Sequence, residues 1–166
     1  MDELALLEIH EKYFPQIYRY LTFRIEEPEL CEAVSGQVFV HLVNALRKEP
    51  GLIDRSGELL FKIANELTNA SLRNKKGSQK STEPKGKSAP IAPSNQTKDQ
   101  FSWLGAIVHQ SLWQLSLDQQ HILALRFAGG ISADEISIIC GRTTAEIRES
   151  QFEALDLMRR FLEEAS

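Results

Sequence analysis

Apolar residues recur at intervals of three and four along most of the chain, the spacing that gathers them on one face of an α-helix. From Asp2 to about Arg24 the stripe runs Leu6, Ile9, Tyr13, Ile17, Tyr20 and Leu21, with Glu8, Glu11, Lys12 and Arg19 off it. Pro15 lies inside this pattern, so either the helix kinks there or Pro15 occupies the first turn of a second helix. Residues 25–29, with Pro28, predict a turn. Leu30 to Leu46 carries the next stripe, through Val34, Val38, His41 or Leu42, and Ala45. Pro50-Gly51 marks a loop, and Glu58 to about Arg73 predicts another helix. Residues 74–100 hold almost no large apolar side chain and many Lys, Ser, Pro and Gly. Such a segment cannot bury enough surface to offset its ordering entropy, which predicts a disordered linker. The helical rhythm resumes over 101–115 with Trp103, Leu104, Ile107, Val108, Leu112 and Trp113 on one face, both tryptophans read as core.

The stretch from Leu115 to Phe161 breaks into short amphipathic helices with tight connections, the pattern of a helix-turn-helix. Asp118 is a candidate N-cap of the first, and Ile122, Leu123, Leu125, Arg126 and Phe127 supply its apolar face. Gly129-Gly130 ends it, since glycine takes the left-handed C-cap conformation without a Cβ penalty. Ser132 with Glu135 three residues on forms a candidate capping box for a helix over Ala133–Ile139. Cys140-Gly141 turns the chain, and Thr143 or Thr144 caps a last helix with Ile147, Gln151, Ala154, Met158 and Phe161 on one face. The predicted fold is therefore all-α: two small helical domains, 1–73 and 101–166, joined by the flexible basic linker 74–100.

Charge sharpens this division. The net of −4 conceals −5 over residues 1–72, +5 over 73–100 and −4 over 101–166. Both predicted domains are acidic and only the middle is basic, and a basic linker can touch nucleic acid through Arg73, Lys75, Lys76, Lys80, Lys85 and Lys87 or serve as a plain tether. No apolar run approaches the roughly 18 residues of a membrane span, and Asp2 and Glu3 are unlike a secretion signal, so the expected location is the cytoplasm. Cys31 and Cys140 fall in different predicted domains among apolar residues, which predicts free buried thiols. His10, His41, His109 and His121 show no metal-ligand spacing. With no nucleophile motif and no glycine-rich phosphate loop, no enzyme, cofactor, metal or small-molecule substrate is expected.

The order Leu115, Ile122-Leu123, Leu125-Arg126-Phe127, Gly130 to Ile136, Gly141, Ile147 and Ala154 resembles the C-terminal promoter-binding domain of bacterial sigma factors, best the extracytoplasmic-function class. Tyr13 to Leu21 resembles the opening helix of the same family's core domain. Val38-Phe39 with Leu42 resembles its polymerase-docking segment, and Leu59 to Ala64 with Leu72-Arg73 its promoter-reading helix. The resemblance implies core RNA polymerase and promoter DNA as partners, with an anti-sigma protein as a further candidate. It implies polymerase contacts at Glu32, Gln37 and His41. Start-proximal promoter contacts fall on Lys62, Asn65, Asn69 and Arg73. Upstream-element contacts fall on Arg142, Thr143, Thr144, Arg148, Ser150 and Gln151.

The chain departs from the family pattern at defined places. Ala33 stands for the usual Asp and Gly36 for the usual Gln. Glu66 and Ala70 replace the Asn and Asp that follow Ile-Ala, and Ser150 and Glu153 replace two arginines of the last helix. Three readings follow: a sigma factor directing transcription initiation, a sigma-like interaction protein without promoter recognition, and an unrelated helix-turn-helix regulator.

Overall fold

The computed structural model describes residues 3–79 and 109–165, and it is all-α, with no strand among them. Helix α1 spans Glu3–Arg24 and α2 spans Pro28–Lys48. A 3-10 turn, Pro50–Arg55, leads into α3, Ser56–Gln79. The chain is helical again over 109–113. Helix α4, Leu117–Leu123, runs directly into a π-helical turn, Ala124–Ala128. Helices α5, Ala133–Cys140, and α6, Thr144–Ala165, follow. No helix among the described residues is long and apolar enough to cross a membrane.

Local chemistry accounts for most of these boundaries. Pro15 sits within one unbroken α1, because the stripe on either side of it packs on the same core. Pro28 takes the first turn of α2, where a missing N–H costs nothing. Helix α3 opens on a short ion-pair ladder in which Glu58 Oε1 meets Arg55 Nη2 at 2.8 Å and Lys62 Nζ at 2.7 Å. It also runs past the expected boundary, so residues 74–79 are helix rather than linker. Extending a formed helix through Lys and Gln needs no nucleation. The rest of the expected linker, and the segment 101–108 with Trp103, lie outside the described residues.

In the C-terminal half the structure corrects several cap assignments. Ser116, not Asp118, caps α4. Its Oγ accepts from Gln119 N at 3.1 Å while Gln119 Oε1 accepts from Ser116 N at 3.1 Å, a complete capping box. At α5, Ser132 Oγ accepts from Glu135 N, giving one half of the box expected there. Thr143 is the cap of α6, accepting from Glu146 N at 3.1 Å. Gly130 and Gly141 both have φ of +68°, and Gly141 is the left-handed C-cap that lets α6 leave α5 after a short turn. Phe127, expected on the apolar face of α4, is 58% exposed, because the π turn swings it outward while Leu125 stays buried. Trp113, expected in the core, is 40% exposed beside the His109 ring.

The two halves share a core. Ile17, Tyr20, Leu21, Val34, Val38, Leu42, Leu60, Phe61 and Ala64 from α1–α3 pack in one cluster with Ile122, Leu125, Ile131, Ile136, Ile139 and Ile147. A smaller cluster of Leu112, Leu115, Leu123 and Ala154, with Met158, belongs to the C-terminal half, and Phe23 of α1 leans on it. Helix α4 sits between the two clusters, buried at every position from Gln120 to Leu125.

Candidate nucleic-acid interface

Helices α5 and α6 form a helix-turn-helix held by side-chain bonds across the turn. Arg142 Nη1 pairs with Asp118 Oδ2 of α4 at 2.6 Å, and Thr144 Oγ1 donates to Asp134 Oδ1 of α5 at 3.1 Å. Arg142, Thr143 and Thr144 therefore gather at the α6 N-terminus as expected of anion-facing groups, yet each is engaged within the protein. Arg148 is exposed, with no ion pair among the described residues. Ser150 and Gln151 turn sideways, half-buried, and Gln151 Nε2 is buried without a hydrogen-bond partner.

The outward face of α6 has an unusual character for reading DNA. Spacings of four, three and four place Arg148, Phe152, Leu155 and Arg159 along one line. Phe152 is 74% exposed, and a shallow apolar trough follows beside Leu155, Met158 and Leu162. Helix α6 carries three arginines against six carboxylates. Asp156 occupies two of those arginines, meeting Arg159 at 2.9 Å and Arg160 at 3.0 Å. Arg148 is the one arginine of this helix outside any ion pair among the described residues.

The expected start-proximal group is split. Arg73 is exposed, and half-buried Lys62 holds Glu58. Asn65 and Asn69 turn inward instead. Their Oδ1 atoms accept from Arg24 Nη1 and Nη2, each at 2.7 Å. Glu66 next to Asn65 is exposed. On α2, the expected polymerase contacts Glu32, Gln37 and His41 are all exposed. They lie on an outer face with Ala33, Gly36 and Val40, while Val38 and Leu42 are buried and Phe39 lies tilted against the His10 and Phe14 rings.

Arg24, Tyr20 and His121 were not among the expected site residues, and they form the polar centre of the molecule. Arg24 is fully buried and faces neutral oxygens only: Asn65, Asn69 and Tyr20 Oη at 2.9 Å. Tyr20 Oη also meets His121 Nδ1 at 2.7 Å. The shorter bonds are all satisfied when Tyr20 accepts from Arg24 and donates to a neutral imidazole. Burial, then the charges of Arg24 and Arg142, push the His121 pKa down to about 3. Burial likewise pushes Tyr20 up to about 12 despite Arg24 beside it. A signal for Arg24 was present: Ile17, Tyr20, Leu21 and Arg24 follow i, i+3, i+4, i+7, so Arg24 continues the buried stripe. His121 had none, because α4 is buried at four consecutive positions from Gln120 to Leu123 and no stripe singles out one face. Cys31 and Cys140 are free thiols, pushed up to about 11 chiefly by burial, which leaves them neutral and unreactive.

The chain matches no protein-family model and no curated protein sequence.

Proposed function

We propose that the protein is a sigma-factor-like transcription initiation protein that engages core RNA polymerase through the outer face of α2 and promoter DNA through α6. The observation that carries the reading is the α5–turn–α6 geometry. It presents exposed Arg148 on the second helix, behind an N-terminus lined by Arg142, Thr143 and Thr144. Side chains at the start and on the outer face of such a helix are those that reach phosphates and base edges. Glu32, Gln37 and His41, exposed on α2, supply the polymerase contact in this reading. Its place of action is with polymerase in the cytoplasm, and an anti-sigma protein would be its natural regulator.

Run-off transcription with core polymerase, beside a pull-down of core alone, tests the proposal. Promoter-dependent transcripts support it, and no binding to core refutes it. A second reading is favoured by the acidic, Phe152-centred face of α6: a sigma-like interaction protein that binds polymerase or a regulator without reading promoters. Core binding without open-complex formation selects that one. Arg148→Ala separates them further, since it weakens DNA binding only in the first.

A further inference from the structure

Helix α6 buries one face and leaves a second apolar line open. Ile147 and Ala154 are buried, with Met158 and Phe161 half-buried beside them, so the core side is already filled. Phe152, Leu155 and Leu162 all stand exposed on the outer side. Single exposed apolar residues need no explanation, but these fall into a register. With Arg159 they follow spacings of three, four and three, the a and d positions of a helix that meets another helix. A shallow apolar trough along Leu155, Met158 and Leu162 gives a partner's side chains a place to insert. The two borders of the line differ. Asp156 and Glu163, each directly after a seam leucine, make one border acidic, and Glu149 continues it one heptad earlier. Gln151 and Met158 make the other border uncharged.

We infer that Phe152, Leu155, Arg159 and Leu162 form a docking seam for a basic amphipathic helix of another protein. Charge decides the occupant. Two copies of α6 laid antiparallel bring acidic border against acidic border, and laid parallel they stack Arg159 on Arg159 within the seam. Neither arrangement suits a second copy of this chain. A partner helix with lysines or arginines along its edge meets Glu149, Asp156 and Glu163, on a helix that carries three arginines against six carboxylates. Apolar residues of that partner at three-and-four spacing cover Phe152, Leu155 and Leu162. Arg159 lies in the apolar line and pairs with Asp156 at 2.9 Å and Glu163 at 3.8 Å. It calls for a carboxylate or amide at the facing core position of the partner, and one such polar pair fixes the register. The groups that the proposed function gives to DNA at the start of α6, Arg142 to Arg148, lie N-terminal to this seam. The inference therefore goes beyond that function and stands on separate residues.

The test uses the full chain and synthetic peptides of about three heptads. The first peptide carries leucine at its a and d positions, with one glutamate among them, and lysine at the flanking e and g positions. The second has glutamate in place of the flanking lysines, and the third scrambles the order of the first. Anisotropy of each labelled peptide reads binding, and circular dichroism confirms retained helix in every protein variant. The first peptide should bind, less tightly as salt rises. The other two should bind at least about tenfold more weakly. Phe152→Gln combined with Leu155→Gln should also cost at least about tenfold, as truncating central anchors does. Both side chains are exposed, so the fold does not depend on them, and Leu162→Gln alone should act in the same direction. A scrambled peptide that binds as well as the first, or binding indifferent to Phe152 and Leu155, overturns the inference. Self-association of the parent that the double variant loses in sedimentation also overturns it, assigning the face to a second copy. So does duplex DNA binding that the double variant loses while no peptide binds, assigning the face to DNA. Failure of the proposed promoter function looks different: no run-off transcript, with Phe152-dependent peptide binding intact.

Discussion

Acidification from neutral pH should loosen this protein, and His121 is the reason. In the folded chain its pKa is pushed down to about 3 from the ordinary 6.5, because the ring is buried and Arg24 and Arg142 both face it. Tyr20, packed against the same ring, is held as a neutral donor and cannot compensate the imidazolium charge. Between these two pKa values the unfolded chain binds a proton that the folded chain refuses. Stability therefore rises with pH across that window and is lost as pH falls through it. The slope is about 1.4 kcal/mol per pH unit once well below 6.5, and the loss between pH 7 and pH 5 is about 2 kcal/mol. Urea unfolding followed by circular dichroism at several pH values measures it, with His121→Gln as the control because glutamine can accept from Tyr20 and does not titrate. The variant should be nearly flat over the range in which the parent slopes. Glu58 adds to the slope only at lower pH: hydrogen bonds from Arg55 and then Lys62 hold its folded carboxyl below the usual range, so the unfolded carboxyl takes its proton first and stability falls in the same direction there. Equal slopes in parent and variant would refute the account of His121 as a buried neutral acceptor.

Four further outcomes follow from named positions. Gly36→Ala should stabilise the chain by about 1 kcal/mol in thermal unfolding, because Gly36 lies mid-helix on α2 with nothing within 4 Å of an added Cβ. Gly141→Ala should destabilise by about 1 kcal/mol on backbone grounds alone, with Gly141→Asn milder, since its φ is +68° in open space. Asn69→Ala should cost about 1.5–3 kcal/mol in urea unfolding by leaving Arg24 Nη2 without its acceptor. Glu153→Arg should tighten DNA binding and steepen the log–log salt dependence by about one unit, if α6 faces phosphate.

Much of this fold was legible because one-face periodicity and cap chemistry are local. The stripes of α1, α2 and α6, the Ser132 cap and the left-handed Gly141 all follow from residues within a turn or two of one another. What escaped notice depends on partners far along the chain. Nothing near residue 121 says that its imidazole will meet Tyr20, 101 residues away. The π turn is equally hidden, because Ala124–Ala128 reads as ordinary helix until Gln16 and Arg19 claim the carbonyls at its end. Asn65 and Asn69 were legible as polar residues one turn apart, but their direction was not. A buried Arg24 on the neighbouring helix turns them inward. Ser116 was overlooked as a cap because Asp118 is an equally good cap residue two positions later.

The charge pattern constrains how such a molecule can use DNA at all. With both folded halves acidic and Arg148 the unpaired cation of α6, few phosphates can be neutralised by the helices themselves. Affinity for nucleic acid scales with the number of such contacts, so in the proposed function α6 by itself binds DNA weakly and with a shallow salt dependence. A weak binder becomes effective when a second contact holds it at the site, because tethering raises its local concentration to the order of millimolar without any new DNA contact. The exposed face of α2 around Gln37 and His41 is where the proposed function puts that second contact. In the proposed function the acidic character of α6 then has a consequence for the free protein. It lowers the affinity that α6 alone can offer to DNA, and by the proposed function it matters less once polymerase holds the chain against its template.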